Sequence, residues 1–111
     1  MIVCWRTVAV PDAERNRFLA WIAENRAVRE EHGICAELVL EPAVSGGETV
    51  VLTIWPSHDV FDAWIKTSER DRLTDSDVHR AVEFRPISRY DVVGGYLNGL
   101  AQAIPTLEEN Q

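Results

Sequence analysis

Two segments, IVCWRTVAV (2–10) and TVVLTIW (49–55), have strand composition and are apolar on both faces, and this limits the possible folds more than any other feature. Alternation with period two puts Ile2, Cys4, Val8 and Val10 on one side of the first, and Val3, Trp5 and Ala9 on the other. In the second, Val50, Leu52 and Ile54 oppose Val51 and Trp55. An antiparallel sheet with helices on one side leaves its other side wet, and that side is then normally polar. These strands need cover on both. Helices account for one face, and the simplest cover for the other is the same sheet in a second copy of the chain. A two-fold homodimer with sheet packed on sheet is therefore predicted.

Pro11 stops the first strand, and Asp12 can cap a helical pattern running to about Glu31, with Phe18, Trp21, Ile22, Asn25 and Arg29 on one stripe. Gly33 suits a left-handed C-cap. ICAELVLE (34–41) forms a hairpin with 49–55 through a Ser-Gly-Gly turn. Ser57 caps a helix that carries Val60, Phe61, Trp64 and Ile65 on one face, and the polar stretch after it adds another short helix. Pro86 leads into a last strand, 87–93, which Gly94-Gly95 ends. The order β-α-β-β-α-β is an α+β, ferredoxin-like split arrangement, an antiparallel sheet with helices on one face. The domain is expected to span 1–95, with 96–111 a C-terminal tail able to pack on the partner subunit.

At 111 residues the chain is one domain, and its net charge of −7 argues against a nucleic-acid partner. No apolar run has membrane-spanning length, and the N-terminal residues lack signal-peptide order, so no membrane partner and a cytoplasmic location are expected. Cys4 and Cys35 stand alone in strand-like stretches and are expected to be reduced core thiols, with no metal site.

The element order, the segment HGICAELVL and above all TIWPSHDVFDAW resemble the antibiotic biosynthesis monooxygenase family of dimeric α/β-barrel proteins. Its members commonly show a strand ending in Trp, a Ser two residues on, then an aromatic residue and a further Trp on the next helix. Here these are Trp55, Ser57, Phe61 and Trp64, and the resemblance spans roughly residues 1–95. It implies a homodimeric α/β barrel. It also implies a cofactor-independent monooxygenase oxidising an aromatic or polyketide-type quinol or anthrone with O2, in a pocket between sheet and helices. Oxygenase members use no metal, flavin or haem. They deprotonate the substrate, whose carbanion passes an electron to O2. Three departures are visible. His32-Gly33 replaces the usual Pro-Gly, Phe61 stands where some members have a proton-transferring tyrosine, and Val51 stands where some have an asparagine.

The expected catalytic set is Arg6, Trp55 and His79. Trp55 matches the strand-end tryptophan that lines the family's cavity, though the same residue can simply fix the corner before the helix. Arg6 shares a face with Ile2, Cys4 and Val8, where an unpaired charge is very costly. It either pairs with a carboxylate at the sheet edge or holds a phenolate, enolate or carboxylate of the substrate. His79, in the polar stretch after the second helix, is the candidate general base. Trp21, Asn25, Arg29, Val51, Phe61 and Trp64 are the expected substrate-binding residues. For Asn25 and Arg29, the stripe that turns polar either faces a cavity mouth or reaches solvent. His32 and His58 read as solvated. Tyr90 reads as packed at the dimer interface, and Tyr96 as a possible cap.

Three other functions fit the same pocket: O2-independent polyketide cyclisation, haem binding and degradation, and ligand binding without catalysis. The resemblance places the haem-degrading branch's axial histidine near Leu73, and no histidine lies within five positions of it. A shifted helix that brought His79 inward would reopen the haem reading.

Overall fold

The computed structural model describes residues 1–96. Strand β1 (Ile2–Ala9) lies at the centre of the sheet, antiparallel to β3 (Thr49–Trp55), which pairs in turn with β2 (Ala36–Leu40). The expected single last strand is in two pieces. β4 (Glu83–Phe84) pairs with Val8 and Ala9, and β5 (Ser88–Asp91) pairs with residues 2–5 of β1. Pro86 lies between them and has no N–H to continue the ladder. The order β2-β3-β1-β4 is that of the split βαβ arrangement.

The first helical stretch is also divided, into α1 (Arg15–Glu24) and α2 (Arg26–Glu31). The break is at Asn25, whose Nδ2 donates to the Trp21 carbonyl oxygen at 2.8 Å, a local bond that competes with helix continuation. Asn25 therefore acts as a helix terminator. α2 ends at Gly33, whose φ of +100° is left-handed, and an added Cβ there would lie 2.8 Å from Val60 Cγ1. The Ser57 hydroxyl accepts from the Val60 amide at 3.2 Å and starts α3 (His58–Ile65) as expected. The polar stretch forms two short helices, α4 (Ser68–Thr74) and α5 (Asp77–Ala81), capped by Thr67 and Ser76. Among the described residues no helix is long and apolar enough to cross a membrane.

Between sheet and helices the core comes in two parts. One gathers Ile2, Cys4, Trp55, Phe61 and Trp64; the other gathers Val8, Phe18 and Ile22. Each fully buried aromatic in them contributes about 2–3 kcal/mol by removal of apolar surface from water. The register explains the division. On the inner face of β1, Arg6 falls between Cys4 and Val8, and on β3 Thr53, the partner of Cys4, falls between Trp55 and Val51, the partner of Arg6. With Glu37, the partner of Thr53 on β2, these residues make a polar seam across a mainly apolar face.

Among the described residues no helix packs on the other face of the sheet. Val3, Trp5, Val50, Leu52, Leu38 and Leu40 occupy outer positions in the observed register, and Trp5 and Leu40 are exposed. Tyr90 joins them opposite Val3, 60% exposed. Cys35 is exposed rather than a core thiol, whereas Cys4 is buried. Residues 97–111, nearly all of the expected tail, lie outside the described residues.

Candidate functional site

A cavity of about 110 Å³ lies along the polar seam, where the two parts of the core fail to meet. Arg6 and Val51 face it from the sheet with Trp55, and Phe61 and Trp64 close one end from α3. Trp21, Arg29 and His79 reach it from α1, α2 and α5. Eight of the nine residues expected at the site therefore surround one space. Asn25 is the exception, and the expectation for it is corrected: its side chain is committed to the backbone turn between α1 and α2. The aromatic end is ordered by ring geometry. Trp55 meets the edge of Phe61 at 5.3 Å between centroids and stacks at 25° on Trp64. The Trp55 indole Nε1 donates to Thr53 Oγ1 at 2.9 Å, so its polar edge is satisfied although the residue is 1% exposed.

Of the three arginines that line the cavity, Arg6, Arg29 and Arg70, the one that takes a carboxylate partner is Arg29. Arg29, expected to point toward a mouth or solvent, is 7% exposed and forms the buried ion pair. Its Nε lies 2.6 Å from Glu37 Oε2, and its Nη2 donates to Glu37 Oε1 at 3.0 Å and to the Ile22 carbonyl oxygen at 2.5 Å. That carbonyl belongs to the last turn of α1, where intrahelical partners run out. Arg6 differs. Among the described residues its guanidinium makes no ion pair and no hydrogen bond, and lies 4.4 Å above the Phe84 ring. Burial, and after it the charge of Arg70, pull the Arg6 pKa below its ordinary value. A guanidinium remains cationic at neutral pH even so.

His79 is held in the same cluster. Its imidazole stacks on Phe84 at 4.5 Å and meets Trp21 edge-on at 6.2 Å. Burial, then the charges of Arg6, Arg70 and Arg80, lower its pKa from the usual 6.5, so the ring is neutral at pH 7 and has a free lone pair. The depressed value means that the folded protein binds fewer protons here than the unfolded chain. The stability associated with it is full above pH 6.5 and falls as the pH drops through the lowered value. Melting temperatures measured from pH 7.5 down to 5 are expected to fall more steeply for the native chain than for His79→Leu. Burial likewise pushes the Cys4 thiol up, which leaves it protonated and a poor nucleophile.

Sequence reasoning missed Glu37, Arg70 and Phe84. Glu37 carried a readable signal, since it takes an inner position of β2 beside Val39, as Arg6 does beside Val8. Arg70 lies in a charge-rich stretch without usable periodicity. His32, expected to be solvated, is partly covered by Trp64 at 5.1 Å between ring centroids, whereas His58 is exposed and 2.8 Å from Asp91. Tyr96, the possible cap, is 83% exposed.

No protein-family model and no curated protein sequence matches the chain. Solved structures do. The fold is similar to that of HapK from Hahella chejuensis, with TM-score 0.71 and 17% identity over 89% of this chain and 100% of the other. It is similar to the heme-degrader MhuD from Mycobacterium tuberculosis, solved with two hemes in its active site (TM-score 0.69, 18% identity, 86% of this chain and 99% of the other). A third is a candidate antibiotic biosynthesis monooxygenase from Deinococcus radiodurans, with TM-score 0.64 and 22% identity over 88% of this chain and 97% of the other. These likenesses show a shared α+β fold, the one implied by the TIWPSHDVFDAW motif.

Proposed function

We propose that the chain is a cytoplasmic, cofactor-independent monooxygenase of secondary metabolism that oxidises an electron-rich phenol or quinol with O2 in the cavity between sheet and helices. The observation that carries this reading is Arg6, an internal cation without a carboxylate partner among the described residues, in an aromatic cavity beside a neutral imidazole. His79 removes the substrate proton, and Arg6 stabilises the anion that forms. The ring carbanion passes one electron to O2, and the resulting radical and superoxide combine to a hydroperoxide. Loss of water then leaves a carbonyl, so one oxygen atom enters the product and the other leaves as water. Phe61 and Val51 supply shape here, since neither can transfer a proton. A space of about 110 Å³ is smaller than the roughly 150 Å³ cavity that takes benzene, so it is suited to no more than a single ring. This favours a quinol over a tricyclic anthrone.

The test is O2 uptake by metal-free protein with a panel of hydroquinones and phenols, followed by transfer of label from ¹⁸O2. One labelled atom per product molecule is expected. Uptake no faster than in buffer across the panel overturns the reading, and turnover that persists without O2 moves the chain to the cyclase class. One observation favours haem as a second reading: His79 faces the cavity, the condition under which an axial ligand becomes available. The space weighs against it, since sites for drug-sized ligands run to about 300–1,000 Å³ and haem is larger than most such ligands. A haemin titration without a Soret shift removes it.

The proposed enzyme is a homodimer, with the uncovered face of the sheet as its interface. Trp5, 40% exposed among Val3, Leu38 and Leu52, is the central aromatic of that face. Light scattering is expected to give twice 12.5 kDa for the native chain and 12.5 kDa for Trp5→Glu.

A further inference from the structure

The charges around the cavity do not balance. Arg29 and Glu37 neutralise each other, and two cations remain, Arg6 from β1 and Arg70 from α4. Among the described residues neither guanidinium has a carboxylate or hydrogen-bond partner, and they are near enough for the charge of Arg70 to lower the pKa of Arg6. A shortage of acids is not the cause, since the chain holds 18 Asp and Glu against 11 Lys and Arg. Arg15, Arg17, Arg29, Arg80, Arg85 and Arg89 all have carboxylate partners. Holding two half-buried like charges together without a counter-charge is unfavourable, and an anion placed between them relieves it. The rest of the lining is mostly apolar and aromatic, and the space of about 110 Å³ suits a ligand of no more than one ring.

We propose that the cavity binds a single-ring aromatic carboxylate, with the carboxylate between Arg6 and Arg70 and the ring against Trp55, Val51 and Ile22. This rests on the reading of the cavity as the substrate site, and it narrows the substrate to a phenol or quinol that also carries an acid group. Arginine suits the task because its planar fork donates two parallel hydrogen bonds to a carboxylate.

Calorimetric titration with benzoate and 4-hydroxybenzoate, without O2, tests the proposal independently of turnover. Benzamide, phenol, acetate and inorganic phosphate are the controls. Benzoate is expected to bind at least about tenfold more tightly than benzamide, and Arg70→Met to lose about 10- to 100-fold in benzoate affinity, the worth of a charged hydrogen bond in a shielded site. Acetate and phosphate are expected to bind weakly, since the ring contributes. Equal binding of benzamide and benzoate, or unchanged affinity in a folded Arg70→Met, overturns the proposal. So does phosphate binding as tightly as benzoate.

A second readout comes from His79. The charged groups acting on it are Arg6 from β1, Arg70 from α4 and Arg80 on its own helix, while Trp21 and Phe84 cover it from α1 and β4 without charge. An anion bound between the first two offsets their effect, so benzoate should raise the titration midpoint of His79 measured by NMR. A midpoint indifferent to saturating benzoate overturns the placement. Benzoate binding without O2 uptake on any hydroquinone leaves the anion site standing and the oxygenase reading overturned. Uptake on neutral quinols without benzoate binding does the reverse.

Discussion

Glu37→Leu is expected to destabilise the fold by about 3–5 kcal/mol in urea or thermal denaturation, because it leaves the Arg29 guanidinium buried without its counter-charge. Both side chains are shielded, Arg29 with 9% of its side chain exposed and Glu37 with 7%, so water can do little to replace the lost partner. The damage extends to α1, since the same guanidinium satisfies the Ile22 carbonyl oxygen near the helix end. Replacing both partners, as in Arg29→Met with Glu37→Leu, is expected to restore most of the loss. Apolar residues of similar volume then fill the site with no charge to strand. A single variant as stable as the native chain would show that the pair is solvated in solution.

Arg6→Met is expected to have the opposite profile. Among the described residues no carboxylate or hydrogen-bond acceptor depends on Arg6, and a methionine can lie on the face of Phe84 much as the guanidinium does. The melting temperature should hold or rise, as burial of the charge and its repulsion from Arg70 are both removed. Oxidation of the substrate, by contrast, should slow about 10²–10³-fold in kcat/KM, the usual consequence of deleting a group that stabilises a developing anion in a water-poor site. Arg6→Lys keeps the charge but not the fork and should recover part of the rate. Loss of stability in step with activity would instead assign Arg6 to the architecture.

Much of the fold was legible in the sequence because its strongest signals are local. Two-faced apolar strands, the Ser57 cap and the Gly33 terminator depend on residues within a turn or two of one another. The break at Asn25 was less legible: the helical spacing of the stripe runs on through it to Arg29, although its residues turn polar there, and the side-chain bond to the Trp21 carbonyl oxygen marks the end of α1. The roles of the arginines could not be read at all from local pattern. The sequence showed that Arg6 lay on an apolar face and needed something. Which arginine received the carboxylate was decided by the placement of Glu37 on β2, across the sheet from β1 with β3 between them. Such a pairing is set by the approach of α2 to β2, a strand that does not neighbour β1, and no periodicity encodes it.

The interruption at Pro86 has a kinetic side. β4 bonds to Val8 and Ala9, and β5 to residues 2–5, so along that margin Arg6 has no ladder partner, and Thr7 is held through its carbonyl oxygen by the Arg85 amide at 3.0 Å. A wall hung from two short ladders parts at a lower free energy than one continuous strand, because each piece can detach without unzipping the other. Ile87, in the stretch between them, borders the cavity. Local opening is thus expected to cost least along the flank beside Arg6, where amide hydrogen exchange should run ahead of exchange in the β1–β3 ladder.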